Sequence, residues 1–363
     1  MRVSLPVYPR DKTRGEVTTL RWVQNNTHVP VPNVIGFDDD NDNEIGFEWI
    51  LMEFVEGTSA YTKWRTMSME QKITLTKQVA DFQAEFLGCG RLGSPFETIG
   101  TLQIEEKSHE EESVQSSTII RPGQLVSHPF FMGDHLHYNV PRGPFRSTHD
   151  WLSAQLSIIL IEQAENLKKA EDEDDQEDAE DRLSVAQKLL NLLPTVFPPK
   201  EEGSEPTCLC HSDLHLNNIF VDENGTITAV LDWECASALP LWYATMVPKF
   251  LEGGAREEEP QRDGYADESP DDKGQERNDT DSLDNEGKNQ LYWIHRMEYE
   301  KTQLRKVYEA RLKELWSEKL FEESLAKVEF FETVLQCDGI WVKKAGRWVD
   351  RTEKGEVIRF IDA

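Results

Sequence analysis

A short polar stretch followed by a predicted β-hairpin constrains this chain more than any other feature. Residues 211–218 read His-Ser-Asp-Leu-His-Leu-Asn-Asn, and residues 219–221 favour a strand. Asn224-Gly225 is the dipeptide most typical of a two-residue hairpin turn, and the β-branched, alternating residues 226–231 favour the return strand. Because a hairpin brings its two ends side by side, Asn218 and Asp232 are predicted to meet.

The chemistry of these residues suits phosphoryl transfer. The pattern H-x-D-x-x-x-x-N is the kinase catalytic-loop signature, which assigns Asp213 to the acceptor hydroxyl and its proton. Asn218 and Asp232 are then the predicted Mg²⁺ ligands, and this ion needs only one or two protein side chains. His211 is included among the catalytic residues because we expect it to hold the loop in place. The alternative is a surface turn that is polar by chance, which would require several independent parts to coincide.

The details separate this stretch from protein kinases. Ser212 stands where those enzymes have arginine, and Asp232-Trp233-Glu234 stands where they have D-F-G. Residues 210–213, 216–219 and 230–234 resemble the aminoglycoside phosphotransferase family and its choline-kinase-like relatives. The upstream segments resemble the fungal branch of that family over residues 2–7, 16–20, 29–32 and 51–57. The resemblance covers most of residues 1–251.

The resemblance implies a bilobal, protein-kinase-like α/β fold. Its small β lobe is incomplete and spans 1–57, and a mainly helical large lobe spans 58–363. The implied reaction moves the γ-phosphate of ATP or GTP to a small-molecule hydroxyl. The resemblance implies four cofactor-binding residues, namely Arg2 in the place of the strand lysine, its helix partner Glu16, and Glu53 and Val55 in the hinge that pairs with adenine.

One departure from the family pattern leaves two functions open. The chain begins in what resembles the third strand of the small lobe, and no glycine-rich loop precedes Arg2. We therefore expect a chain truncated at its N-terminus. It is either an active phosphotransferase or a catalytically impaired nucleotide-binding or interaction protein. A protein kinase is the weakest alternative, since Ser212 and the lack of D-F-G and A-P-E elements count against it.

Charge excludes some partners. The net charge is −29, and acidic residues cluster near 171–181, where nine of eleven positions are acidic, and over 252–290. Both runs are predicted to be exposed or disordered insertions. Such a chain is a poor candidate for nucleic-acid binding. Five cysteines without a paired framework, no membrane-length apolar run and no secretory leader favour a cytoplasmic protein. The acceptor and the oligomeric state are left open.

Helical periodicity is clearest in five segments. Apolar spacing predicts helices over 14–25, 68–88, 149–168, 182–194 and 291–336, the last as two or three helices. Ser68 is the expected cap of the second helix, with Gln71 completing a capping box. Asp150 or Thr148 is the expected cap of the third. Histidines in the polar segment 105–147 are interpreted as loop residues because no metal-ligand spacing accompanies them.

Overall fold

The computed structural model describes residues 1–88, 96–105, 119–268 and 285–363. These residues form an α/β protein in which a small antiparallel sheet precedes a mainly helical part, so the predicted fold class is confirmed. The α-helices are α1 Asp11–Asn26, α2 Ala60–Lys63, α3 Met69–Phe86, α4 His128–Phe131, α5 Thr148–Lys169, α6 Glu173–Val196, α7 Gln290–Leu315, α8 Glu318–Gln336 and α9 Val342–Glu353.

The described strands are short and pair antiparallel in four small sheets. Their bounds are β1 Arg2–Val3, β2 Val34–Asp38, β3 Trp49–Met52, β4 Thr58–Ser59, β5 Leu102–Ile104, β6 Ile120–Pro122, β7 Thr207–Cys210, β8 Ile219–Val221, β9 Ile227–Val230 and β10 Ser237–Pro240. The sheets have the orders β1-β3-β2, β4-β8-β9, β10-β7 and β5-β6. The chain thus leaves the first sheet after Met52 and enters the sheet of the predicted catalytic hairpin at Thr58.

The first sheet carries α1 against it. The predicted helix over 14–25 extends from Asp11 to Asn26, and its inner face buries Val17, Leu20 and Val23. The segment 45–54 contains the single strand β3. β2, which the sequence did not predict, pairs with one edge of β3, and Arg2 and Val3 pair with the other. Arg2 is therefore held at the end of a strand.

Helix α3 begins as predicted. The Ser68 side chain accepts the N–H of Gln71, and the Gln71 side chain accepts the N–H of Ser68, so the capping box is confirmed. Leu75 and Val79 on its inner face are almost fully buried. The predicted helical region 291–336 is confirmed as α7 and α8. Trp64, Lys72 and Glu300 join α3 to α7 through a buried ion pair of 2.8 Å and an indole hydrogen bond.

Two helices begin differently from the prediction. Ser147, and neither Thr148 nor Asp150, caps α5, because its hydroxyl accepts the N–H of Asp150. The acidic run near 171–181 belongs to α6, which begins at Glu173 instead of residue 182. The Asp172 side chain caps it, and acidic residues in its first turn interact favourably with the helix dipole. The run is exposed apart from Ala179.

The second acidic segment is anchored over its described part. Residues 252–268 lie along α7, where Arg305 donates to the carbonyls of Leu251, Gly253 and Gly254. Arg256 and Glu298 form an ion pair of 3.1 Å beside them. The remaining positions 269–284 lie outside the described residues. The described part of 252–290 is therefore an exposed layer fixed to a helix.

A close approach between α1 and β5 links the two parts of the fold. A Cβ at Gly15 would lie 2.5 Å from Cγ2 of Thr101, so only glycine fits without displacing that side chain. Thr101 is fully buried, and its hydroxyl lies 2.8 Å from Ser237 Oγ and accepts the N–H of Val126. The position of α1 thus depends on a contact with the region around β10.

We predict that Gly15→Ala lowers the free energy of unfolding by about 1–3 kcal/mol, because the added methyl group overpacks this contact. The loss should be smaller in a Thr101→Ser background, since serine keeps the hydroxyl and removes the methyl group that collides. Urea unfolding of the wild type, both single variants and the double variant measures the coupling. An equal cost of Gly15→Ala in both backgrounds would contradict the predicted collision.

Candidate active site

The predicted hairpin forms and brings its ends together. The buried strand β7 leads into the loop 211–218, and the N–H of Leu231 donates to the carbonyl of Asn218 at 2.8 Å. Asn218 and Asp232 therefore flank one base of the β8–β9 pair. The turn differs from the prediction, since three residues separate the closing pair Asp222 and Thr226, with Gly225 at φ 82°. A three-residue loop with glycine in the left-handed region is the next commonest hairpin connection.

His211 braces the loop from within. Its Nε2 donates to the carbonyl of Leu231 at 2.9 Å, and its ring packs edge-on against Trp233 with centroids 4.7 Å apart. A carbonyl oxygen only accepts, so Nε2 carries the proton. Burial lowers the pKa of His211, and the neutral ring is therefore favoured. These contacts join the first residue of the loop to the segment that contains Asp232.

Asp213 lies in the cleft with its side chain partly exposed. Oδ1 of Asp213 is 2.9 Å from Nε2 of His215, an ion pair when the imidazole is protonated. The side-chain amide of Asn218 donates to the backbone carbonyl of Asp213 at 2.8 Å. The amide oxygen of Asn218 is thereby turned away from this contact and has no hydrogen bond with the described residues. The sequence analysis missed His215, since a histidine two positions after the aspartate has no distinct signal in a loop.

Asp232, two residues after β9, has an unusual backbone conformation. Its φ is 62°, a region that costs a non-glycine residue conformational energy and that is concentrated at functional sites. Nη1 of Arg2 lies 2.9 Å from Oδ1 of Asp232 and 2.7 Å from Oε1 of Glu16. Nη2 of Arg2 pairs with Glu234. One guanidinium thus joins β1, α1 and the segment after β9, and the Arg2–Glu16 pair forms.

Lys12 adds a second cation that the sequence analysis missed. It lies on α1 one turn before Glu16, is 6 % exposed, and its Nζ is 2.8 Å from Oε2 of Glu234. The only available signal was its i, i+4 spacing from Glu16, which places both side chains on one helix face. Two cations and three carboxylates leave this cluster with one excess negative charge when all are ionised.

The electrostatics of the cluster affect Glu16 most. The pKa of Glu16 is raised to about 7, chiefly by burial, with the carboxylates of Glu234 and Asp232 acting in the same direction and Arg2 and Lys12 opposing them. Glu16 is 2 % exposed, so desolvation of its charged form is costly. The cluster therefore loses or gains one proton near neutral pH.

A small cleft, about 290 Å³ including the open space at its mouth, contains several ionisable side chains of the site. Asp213, Asp232 and Glu234 line it together with His128 and Cys235. His128 lies on α4, in the segment interpreted as loop. Among the described residues, no three His, Cys, Asp or Glu side chains are grouped so that they could hold a metal ion. One amide oxygen and one carboxylate, from Asn218 and Asp232, are the oxygen donors that suit Mg²⁺ with water and phosphate oxygens.

The predicted hinge lies on the path from the first sheet to the hairpin sheet. Glu53 donates its N–H to the carbonyl of Asn33 at 2.9 Å, and the carbonyl of Glu56 accepts the hydroxyl of Thr228. Between them, Val55 makes no hydrogen bond with the described residues. β4 follows directly and pairs with β8. The segment with Glu53 and Val55 thus ends beside the hairpin that carries Asn218.

We predict that Glu16→Gln flattens the pH dependence of stability. A carboxyl whose pKa rises from 4.5 to about 7 on folding stabilises the protein at low pH, and that contribution is lost as pH rises toward about 7. The wild type should lose about 3 kcal/mol at most across this range through Glu16, and the variant should not. Urea unfolding from about pH 4.5 to about pH 8 measures the difference. The exposed substitution Glu44→Gln is the matched control, and an unchanged decline in Glu16→Gln would contradict this assignment.

Sequence comparisons identify relatives in fungi. A subtelomeric hrmA-associated cluster protein of Aspergillus fumigatus is 24 % identical over 66 % of this chain and 52 % of its own length. Altered inheritance of mitochondria protein 9 of Meyerozyma guilliermondii is 24 % identical over 73 % of this chain and 48 % of its own. The chain spans about half the length of the curated relatives it matches.

A solved structure and a family model also match this chain. The gentamicin complex of APH(2″)-IIa superposes with a TM-score of 0.37 and 15 % identity, covering 93 % of this chain and 85 % of that one. No helix among the described residues is both long and apolar enough to cross a bilayer. The sequence model of the phosphotransferase enzyme family matches residues 1–244 of the 363. The chain therefore belongs to the phosphotransferase enzyme family that its catalytic-loop residues predicted.

Proposed function

We propose that this chain transfers the γ-phosphate of ATP or GTP to a hydroxyl group of a small molecule in a Mg²⁺-dependent reaction. The observation that carries the proposal is the base of the β8–β9 hairpin, where the Leu231–Asn218 hydrogen bond sets Asn218 next to the segment of Asp232, and Asp232 and Asp213 line one cleft. Family membership supports the phosphotransferase class. The acceptor is proposed only as a hydroxylated small molecule.

We propose that Asp213 acts on the hydroxyl group of the acceptor. Its carboxylate lies in the cleft and is partly exposed, so an acceptor hydroxyl can reach it. In this role Asp213 orients the hydroxyl and accepts its proton as the oxygen attacks phosphorus. His215 holds one carboxylate oxygen at 2.9 Å and leaves the other for the acceptor. His211 fixes the loop through Leu231.

Asn218 and Asp232 are the proposed magnesium ligands. The amide of Asn218 is oriented by its hydrogen bond to the Asp213 carbonyl, which leaves its oxygen available, and Asp232 lines the cleft together with Asp213. Bound Mg²⁺ supplies charge neutralisation for the nucleotide phosphates. Arg2, steadied by Glu16, is the side chain proposed to contact those phosphates. A planar guanidinium binds phosphate as a two-pronged fork and so differs from the lysine of related folds.

The proposed hinge, residues 53–55, is the segment that binds the purine base of the nucleotide. The free backbone groups near Val55 suit hydrogen bonding to a purine edge, with Glu53 contributing its carbonyl.

The described cysteines are all free, and the Sγ atoms of Cys208 and Cys210 lie 3.9 Å apart without a bond. Free buried cysteines are consistent with a reducing compartment, and we propose the cytosol.

A second candidate is a nucleotide-binding protein with impaired catalysis. The observation that favours it is the ion pair between Arg2 and Asp232. Arg2 contacts Oδ1 of the carboxylate that Mg²⁺ requires, so a metal there would compete with a cation that three carboxylates hold. Turnover measurements on the two aspartates separate this candidate from the first.

We predict different effects from Asp213→Ala and Asp232→Ala. The first should lower kcat by about 10²–10⁴-fold with little change in Mg·ATP affinity, since Asp213 acts on the acceptor in the transition state. The second should also weaken Mg·ATP binding by about tenfold or more, because it removes a metal ligand. Isothermal titration with Mg·ATP and an ATP-turnover screen over amino alcohols, amino sugars and other hydroxylated small molecules measure both effects.

The control and the contrary outcomes are defined by the same assays. Asp174→Ala, an exposed aspartate of α6, should change neither quantity. Wild-type turnover that survives both cleft substitutions would arise from another protein or another site. Mg·ATP binding without transfer to any acceptor in the screen would favour the second candidate.

A further inference from the structure

A second, larger cavity lies behind the catalytic loop. It has a volume of about 920 Å³ including its open mouth, and is enclosed by α3, residues 243–252 and α8. Ser212 and Leu214 line it, whereas the intervening Asp213 lines the small cleft together with Asp232 and Glu234. The loop therefore separates two cavities, and His211 contributes to both. None of the three carboxylates of the candidate active site faces this second space.

The walls of this cavity are mainly apolar and aromatic. Phe82 and Phe86 from α3 and Met246 and Val247 from the segment after β10 form them, with Leu335 at the mouth. Leu335 is 39 % exposed although it is a large apolar residue. Such walls favour the hydrocarbon or aromatic portion of a ligand.

Two buried polar atoms of the lining residues lack a partner among the described residues. Nε2 of Gln83 is a donor without an acceptor, and Nδ1 of His211 has no hydrogen bond. Since Nε2 of His211 donates to Leu231, Nδ1 of the neutral ring is an acceptor. Buried polar atoms are nearly always paired, so these two call for a partner that supplies a donor and an acceptor.

The cavity also carries an uncompensated carboxylate. Glu332 lines it and forms no ion pair or hydrogen bond with the described residues. Lys249, the cationic side chain of the wall, is 3.1 Å from Glu252 and is already paired. Burial, with Glu252 nearby, raises the pKa of Glu332, which reflects the cost of an isolated charge there. A cation entering the cavity would remove that cost.

We propose that this cavity is a second ligand site, which binds a small organic amine with an apolar or aromatic body and one further hydrogen-bonding group. The ammonium group pairs with Glu332, the body contacts the aromatic wall around Phe82, and the polar atoms of Gln83 and His211 gain partners. The bound amine contacts Ser212 and Leu214, the two neighbours of Asp213. This site does not depend on the proposed phosphotransferase reaction.

Tyramine tests the proposal, because it combines an ammonium group, an aromatic ring and a hydroxyl. Isothermal titration of the full chain should show saturable binding with one molecule per chain. 4-Ethylphenol, which lacks the ammonium group, should bind at least about tenfold more weakly, a loss expected for a charge-assisted pair. Glu332→Gln should lower the affinity for tyramine to that for 4-ethylphenol, and should leave the affinity for 4-ethylphenol unchanged.

Matched variants distinguish binding in this cavity from binding elsewhere on the chain. Glu323→Gln, on the exposed face of the same helix, should bind tyramine like the wild type. Leu335→Trp should block the mouth and abolish binding, and Asp213→Asn should retain it because the amine does not occupy the cleft. Thermal unfolding should show that Glu332→Gln is at least as stable as the wild type, since it removes an unpaired charge.

Several results would overturn the proposal. The absence of saturable tyramine binding up to its solubility limit would mean that the cavity contains only water. Equal losses in Glu323→Gln and Glu332→Gln would indicate general attraction to an acidic surface. Loss of binding in Asp213→Asn would place the amine in the catalytic cleft. Equal affinities for tyramine and 4-ethylphenol would show that Glu332 does not pair with the ammonium group.

Discussion

The contacts of Arg2 are the interaction on which the rest of the site depends. A single guanidinium reaches Glu16 on α1, Asp232 just after β9 and Glu234 two residues later. It therefore fixes the first sheet relative to the hairpin that carries the proposed metal ligands. Lys12 also pairs with Glu234, so a phosphate that draws Arg2 away leaves that carboxylate compensated. Without Lys12, the same movement would strand a partly buried charge.

The ion pairs of this cluster form because α1, which carries Lys12 and Glu16, is held close to the segment that follows β9. Gly15 allows α1 to approach Thr101, and Thr101 is tied by its hydroxyl to Ser237 beside β10. β10 in turn pairs with β7, the strand that enters the catalytic loop. A continuous series of buried contacts thus runs from the loop to the helix that carries Lys12 and Glu16. The small sheet and the helical part are coupled through packing as well as through charge.

Local patterns predicted the parts that local interactions determine. The hairpin between Asn218 and Asp232 and the capping box of Ser68 depend on residues close in sequence, and both form. The pairs His215–Asp213 and Lys12–Glu234 were missed, since the first lies in an irregular loop and the second requires the packing of α1. The early start of α6 was also missed. Its acidic first turns have weak apolar periodicity, yet the Asp172 cap and the helix dipole favour them.

The catalytic loop has two unlike faces, and this difference bears on how it works. Asp213 faces a small polar cleft, while Ser212 and Leu214 face a mainly apolar cavity. The loop is held by the His211–Leu231 hydrogen bond and the indole of Trp233, by the Asn218 side chain on the Asp213 carbonyl, and by the Phe250 N–H, which donates to the carbonyl of Leu214. Native cores tolerate little empty space, and unpaired polar atoms in such a space are costlier still. A ligand that fills this cavity would contact Ser212 and Leu214, the two neighbours of Asp213, and would therefore act on the same few residues that position Asp213.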